Sequence, residues 1–269
     1  MLRFSLPLVP SSLGVVAALY IDRITVKQML SLTDLGIFGV GYRIASIVSL
    51  LMAGFQSALT PIIYANHKDE NTPHSLALIF RFFVALALIG FATISLFSID
   101  VLRMLTPPEY HRAAIVTPPM VLGVLLWQMY IFAPGLSLAK RTSIIGLMNV
   151  GSAVLNLALN FLLIPYMNIF GAALATAISA GSVFCINMYV SQKSYYVPHQ
   201  WSKIVIAFIS TLLIVFFAFN IDFGLLWNII FKLGIFVSLL LFFIYIKLIE
   251  RKHIMLFIDK FKQFINRYR

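Results

Sequence analysis

The sequence predicts an all-α integral membrane protein of about eight transmembrane helices, and three observations carry that expectation. The 269 residues are 61% hydrophobic and 11% charged, and the mean hydropathy is +0.97. Apolar stretches of about 20 residues, the length needed to cross a bilayer, recur along the chain. Short polar or Pro-containing connectors separate them: "NHKDENTPH", "TPPEYHR", "AKRTS", "IPYMNIFG" and "SQKSYYVPHQ".

Taken in order, the spans fall at 4–27, 35–65, 77–98, 113–137, 143–164, 169–190, 203–220 and 224–248. The first follows Met1-Leu2-Arg3 without a small-residue cleavage site, so it is read as a span and not as a removable leader. No connector exceeds roughly fifteen residues, which leaves no room for a soluble catalytic domain. An even number of spans puts both termini on one side. That side receives Arg3, Lys68, Arg81, Lys140, Arg141, Lys193, Lys203 and the basic tail, so it is expected to be cytoplasmic.

The +11 net charge first suggests a nucleic-acid partner. Seven of the twenty Lys and Arg residues, however, crowd the last 23 positions, where topology explains them better and nucleic acid is not implied. Residues 250–269 place Ile254, Phe257, Ile258, Phe261 and Ile265 at helical spacing among basic residues. Either a helix lying on the anionic cytoplasmic leaflet or a basic end that only fixes topology fits that pattern.

Polar residues inside the spans mark the candidate pathway. Tyr42, Ser46, Ser49, Ala53, Gln56 and Thr60 advance by alternating steps of four and three, so they share one face of the second span, with Arg43 beside its top. Such a face suits a wall of a hydrated cavity, as expected for Gln56 and Arg43, while the small residues also suit packing between helices. Asn149, Ser152, Asn156 and Asn160 form a second polar face in the fifth span. Amides there serve as packing contacts, worth about 0.6 kcal/mol each on average, or line the cavity. Gly171, Ala175 and Ser179 give the sixth span a small-xxx-small packing face. The last two spans are apolar nearly all round except for Lys232.

Catalytic and metal chemistry is not indicated. All five histidines fall in connectors or the tail, Cys185 is the single cysteine, and Asp22 is the one carboxylate inside a span. The expectation is therefore no catalytic residue, no metal site and no cofactor.

"LPLVPSSL…IDR", "LGIFGVGYRIASIVSLL", "LTPPEYHRAA" and "LNLALNFLLIPYMNIFGAALATAIS" resemble the C-terminal half of the polysaccharide exporters and O-antigen flippases of the Wzx type. These belong to the MOP superfamily, with the MATE drug exporters and lipid II flippases. The resemblance runs from Leu6 to Tyr196, about seven-tenths of the chain. It implies one six-helix lobe over residues 1–196, two additional helices over 197–249, and the tail over 250–269. It also implies a location in the bacterial cytoplasmic membrane and a central cavity that opens to either side in turn.

The substrate implied is an undecaprenyl-pyrophosphate-linked oligosaccharide, with the lipid bilayer and a separately encoded N-terminal lobe as partners. Its pyrophosphate needs fixed cations in place of water, which points to Arg23 and Arg43, with Lys27 one turn from Arg23. Asp22 would balance their charge or couple transport to protons. The competing view puts Arg23 and Lys27 at the outer end of the first span, in interfacial water. A small-molecule exporter half of the same superfamily and a non-transporting remnant stand as the alternatives.

Overall fold

The structure is a computed structural model and describes residues 20–219, 221 and 225–248. The greater part of the first span and the whole basic tail lie outside the described residues.

Every regular element among the described residues is helical. Residues 20–29 form α1. Then follow α2 (Leu32–Asn66), α3 (Thr72–Leu105), α4 (Ala113–Gln128), α5 (Gly135–Leu138), α6 (Thr142–Gln192), α7 (Trp201–Phe219) and α8 (Leu225–Tyr245). Six helical stretches among the described residues are long and apolar enough to cross a membrane. The all-α membrane class expected from the composition is therefore what is found.

Local chemistry fixes the boundaries. At the start of α2, the Ser31 hydroxyl accepts from the Asp34 N–H at 3.0 Å, and Asp34 also meets Arg112 at 3.8 Å. Pro73 stands in the first turn of α3, where its missing N–H costs nothing. This helix begins earlier and ends later than the span read at 77–98, so Asp100 sits inside it. The connector residue His111 turns its Nε2 to the Thr106 carbonyl at 3.3 Å, which ties the turn after α3.

Two further boundaries differ from the sequence reading. The span expected at 113–137 is broken: α4 ends at Gln128, tightens into a 3-10 turn over Met129–Phe132, and restarts only at Gly135. Pro134 is the cause, because proline pushes the preceding residue out of the helical region, and Ala133 sits at φ −126°, ψ 68°. The spans read at 143–164 and 169–190 are joined in α6, whose 51 residues would run about 76 Å if straight. The helix bends at Asn168 (φ 50°, ψ −136°), three residues beyond Pro165. Its arms, 142–167 and 169–192, each suit a hydrocarbon core of about 30 Å.

The described chain divides into two compact units. The first contains residues 20–76 and 97–198, and within it α4 packs against both α2 and α6. Close approach is built in with glycine. A Cβ on Gly123 would meet Thr176 Cγ2 at 3.3 Å, and one on Gly41 would run into Val116. Phe38, Met52, Met120, Phe132 and Ile164 fill the interior between them. The second unit contains residues 77–96 and 199–248, so the middle of α3 groups with α7 and α8. Phe80, Leu239 and Phe243 are its buried bulk, and Arg81 donates to Gln200 Oε1 at 2.7 Å. Lys232 and Asn228 are also buried in this unit, so the lysine does not lie along the lipid-facing surface of α8.

Candidate functional site

A cavity of about 410 Å³ opens inside the first unit. Its walls come from α1 (Asp22, Arg23), α2 (Phe38, Tyr42, Ser49, Gln56), α4 and the turn after it (Met120, Trp127, Tyr130), and α6 (Asn156, Thr176). Of the α2 stripe, Tyr42, Ser49 and Gln56, seven positions apart, line the cavity, and Ser46, Ala53 and Thr60 do not.

Asp22 is the buried polar centre. Only 6% of its surface is exposed, and it accepts from Asn160 Nδ2 at 2.7 Å and Thr176 Oγ1 at 2.6 Å. Among the described residues it forms no ion pair, and neutral donors from both arms of α6 satisfy it. Asn160 also donates to Asn156 Oδ1 at 3.1 Å, while Asn160 Oδ1 is buried with no partner among the described residues. The Thr176 hydroxyl has a second acceptor, the Ala172 carbonyl, at 3.1 Å. A buried carboxyl, two amides and a hydroxyl with a choice of acceptor form a hydrogen-bond network that can rearrange without moving its backbone.

Arg23 stands next to it on α1. Its guanidinium lies 5.2 Å from the Tyr42 ring centre and 5.8 Å from the Tyr20 ring centre, so two aromatic faces hold it by cation–π attraction. Neither contact uses a guanidinium N–H in a hydrogen bond to an oxygen, so donors remain for an anion.

The structure gathers some of the sequence-predicted residues and separates others. Of the three basic residues, Arg23 lines the cavity, whereas Lys27 and Arg43 are exposed and outside the lining. Arg43 is displaced because it is one position, about 100°, round α2 from Tyr42. Ser46 is not part of the wall either and returns its hydroxyl to the Arg43 carbonyl at 2.7 Å. Gln56 lines the cavity but spends its Nε2 on the Gln128 carbonyl at 2.8 Å, an acceptor freed where α4 loses its helical continuation. Ser152 reaches the Ser179 carbonyl at 3.5 Å, a packing contact between the arms of α6. Asn156 and Asn160 join the Asp22 network, and Asn149 instead lines a second cavity.

Sequence reasoning missed Thr176, Trp127 and Tyr130. Thr176 is one position from Ala175 in the small-residue face of the sixth span, and its hydroxyl was the signal within an otherwise apolar segment. Trp127 and Tyr130 gave no periodic signal, because the helix that carries them changes type between them. Among the described residues no group of His, Cys, Asp and Glu is arranged to hold a metal ion. Compared with known proteins, the chain matches no family model, no curated protein and no solved structure.

Proposed function

We propose that this chain forms the transport lobe of a flippase that carries a polyprenyl-pyrophosphate-linked oligosaccharide across the bacterial cytoplasmic membrane. The observation that carries the reading is Arg23, a guanidinium in cation–π reach of two tyrosine rings on the wall of a cavity among membrane helices. A pyrophosphate cannot cross hydrocarbon unaided, since an unpaired charge loses its hydration there. Arg23 offers the bidentate N–H edge that phosphate oxygens accept. The apolar remainder of the wall suits the isoprenoid chain.

Asp22 supplies the coupling step. Ionised, it accepts from Asn160 and Thr176, as the hydrogen bonds are arranged here. On taking a proton it becomes a donor to Thr176 Oγ1, whose own hydrogen turns to the Ala172 carbonyl. A turn of the Asn160 amide would likewise present its unpartnered Oδ1 to the new O–H. Both charge states then find partners within the same heavy-atom framework. Neutralising Asp22 beside Arg23 raises the net positive charge of the cavity by one, which favours the anionic substrate. The excess of Lys and Arg in alternate connectors supports cytoplasmic termini. In this reading a second lobe, facing this one, completes the pathway.

The test is restoration of surface polysaccharide in a flippase-deficient bacterium by the wild-type chain, with and without a partner lobe, and by its variants. Arg23→Ala is expected to lower export roughly 10–100-fold, the range set by losing charge-assisted hydrogen bonds of about 1.5–3 kcal/mol. Arg23→Lys keeps part of it and Arg43→Ala nearly all. Equal export by wild type and Arg23→Ala would remove the pyrophosphate role.

A small-cation exporter is the second reading, and one observation favours it: the cavity contains a carboxyl free of any ion pair among the described residues. Asp22→Asn would then abolish binding of a lipophilic cation such as tetraphenylphosphonium. The flippase reading expects no Asp22-dependent binding of that cation.

A further inference from the structure

A second cavity, of about 380 Å³, lies in the same unit as the first. Trp127, Tyr130, Phe184, Ser137, Asn149 and Asn187 give its wall its chemical character, and no Asp, Glu, Lys, Arg or His lines it. Trp127 and Tyr130 line both cavities. They are three positions apart, Trp127 in the last turn of α4 and Tyr130 in the 3-10 turn that follows it. One aromatic wall therefore separates a charged compartment, with Asp22 and Arg23, from an uncharged one.

The uncharged compartment has a built polar edge. Asn187 is buried, with its Oδ1 3.4 Å from Ser191 Oγ. Ser191 is itself fixed, accepting from the Leu136 N–H at 3.3 Å and donating to the Ala133 carbonyl at 2.9 Å. The Gly135 backbone approaches Ser191 so closely that a Cβ there would collide with it. The break after α4 thus fixes Ser191 beside Asn187, whose amide N–H₂ makes no hydrogen bond among the described residues.

Indole and phenol rings take the apolar C–H face of a pyranose, while amides donate to and accept from its hydroxyls. Without a counter-charge the compartment does not suit an anion, and hydrocarbon filling it would leave the Asn187 N–H₂ without an acceptor. Its volume is that of a small-molecule site, commonly about 300–1,000 Å³. We infer that the second cavity is a glycan subsite, taking an uncharged sugar of the lipid-linked oligosaccharide against Trp127 and Tyr130 with Asn149 and Asn187 as its polar contacts. The inference rests on the flippase reading and deepens it: the pyrophosphate occupies the Arg23 compartment and the first sugars occupy this one.

The experiment is saturation-transfer NMR on the full chain in lipid nanodiscs, with maltotriose, mannotriose and chitotriose as uncharged probes and farnesyl pyrophosphate as a sugar-free probe. At least one trisaccharide is expected to bind. Asn187→Leu and Trp127→Ala should each weaken it tenfold or more, whereas Asn187→Gln and Trp127→Phe stay within threefold of wild type. Farnesyl pyrophosphate binding should be unchanged in both Asn187 variants, which also shows that they are folded; Trp127 borders the Arg23 compartment as well, so its variants are read on the trisaccharides alone. Failure of every trisaccharide to bind overturns the subsite, and so does sugar binding that Asn187→Leu leaves intact, the result expected of a lipid groove. Trisaccharide binding without any Arg23-dependent binding of farnesyl pyrophosphate keeps the subsite and overturns the flippase reading instead.

Discussion

Asp22 is a buried acid whose partners are neutral, and that choice has consequences for both stability and coupling. Asn160 and Thr176 donate to it now, but each has another acceptor within reach, Asn156 Oδ1 and the Ala172 carbonyl. Asp22→Asn should therefore cost about 1 kcal/mol or less, since an amide can occupy the same network. Asp22→Leu removes both acceptor atoms and should cost more, about 1–3 kcal/mol, because Asn160 keeps only one buried partner. Thermal unfolding in detergent micelles distinguishes the two. The same Asp22→Asn protein should transport at a rate no longer dependent on the proton gradient, as read by export in cells held at different external pH. Asp22, Arg23, Asn156 and Asn160 were all visible in the sequence as polar residues in apolar segments. Their assembly was not, because Asp22 and Asn160 are 138 positions apart and only packing brings them together. Arg43 shows the converse limit, since one step round a helix takes a residue off a face that its neighbour occupies.

The helices themselves were largely legible, because their length and apolar content are set by the bilayer. What the sequence hid lies at the breaks. Pro165 looked like the end of the fifth span, yet the turn is made by Asn168 at φ 50°, ψ −136°, a positive-φ conformation outside the left-handed helical region that glycine adopts most readily. Asn168→Gly is expected to be neutral or stabilising by up to about 1 kcal/mol, and Asn168→Val destabilising by about 1–3 kcal/mol. Unfolding of the purified chain measures both. Glycine at helix crossings carries a second expectation at this scale. Gly41→Ala should destabilise through collision with Val116, while Gly54→Ala, which meets nothing within 4 Å, should not.

For the whole molecule, charge in the connectors sets the orientation. Cysteine is convenient here because the chain has only Cys185. In a Cys185→Ala background, Lys68→Cys and Lys193→Cys are expected to react with a membrane-impermeant maleimide only after the cells are opened. Glu109→Cys should react in intact cells. The reverse pattern would invert the topology and place the Arg23 compartment near the cytoplasmic face. Composition alone made the membrane class evident, whereas the division of chemistry between two cavities depended on where α4 unwinds, which no periodicity announces.

The central claim is that Arg23 receives a lipid pyrophosphate inside this unit. Calorimetric titration of the nanodisc-held chain with farnesyl pyrophosphate, against farnesol as the uncharged control, tests it most directly. The account predicts binding of the pyrophosphate and not of farnesol, weakened tenfold or more by Arg23→Ala and little changed by Arg43→Ala or Lys27→Ala. Pyrophosphate binding that Arg23→Ala leaves unaltered, or no binding by the wild-type chain, would contradict it.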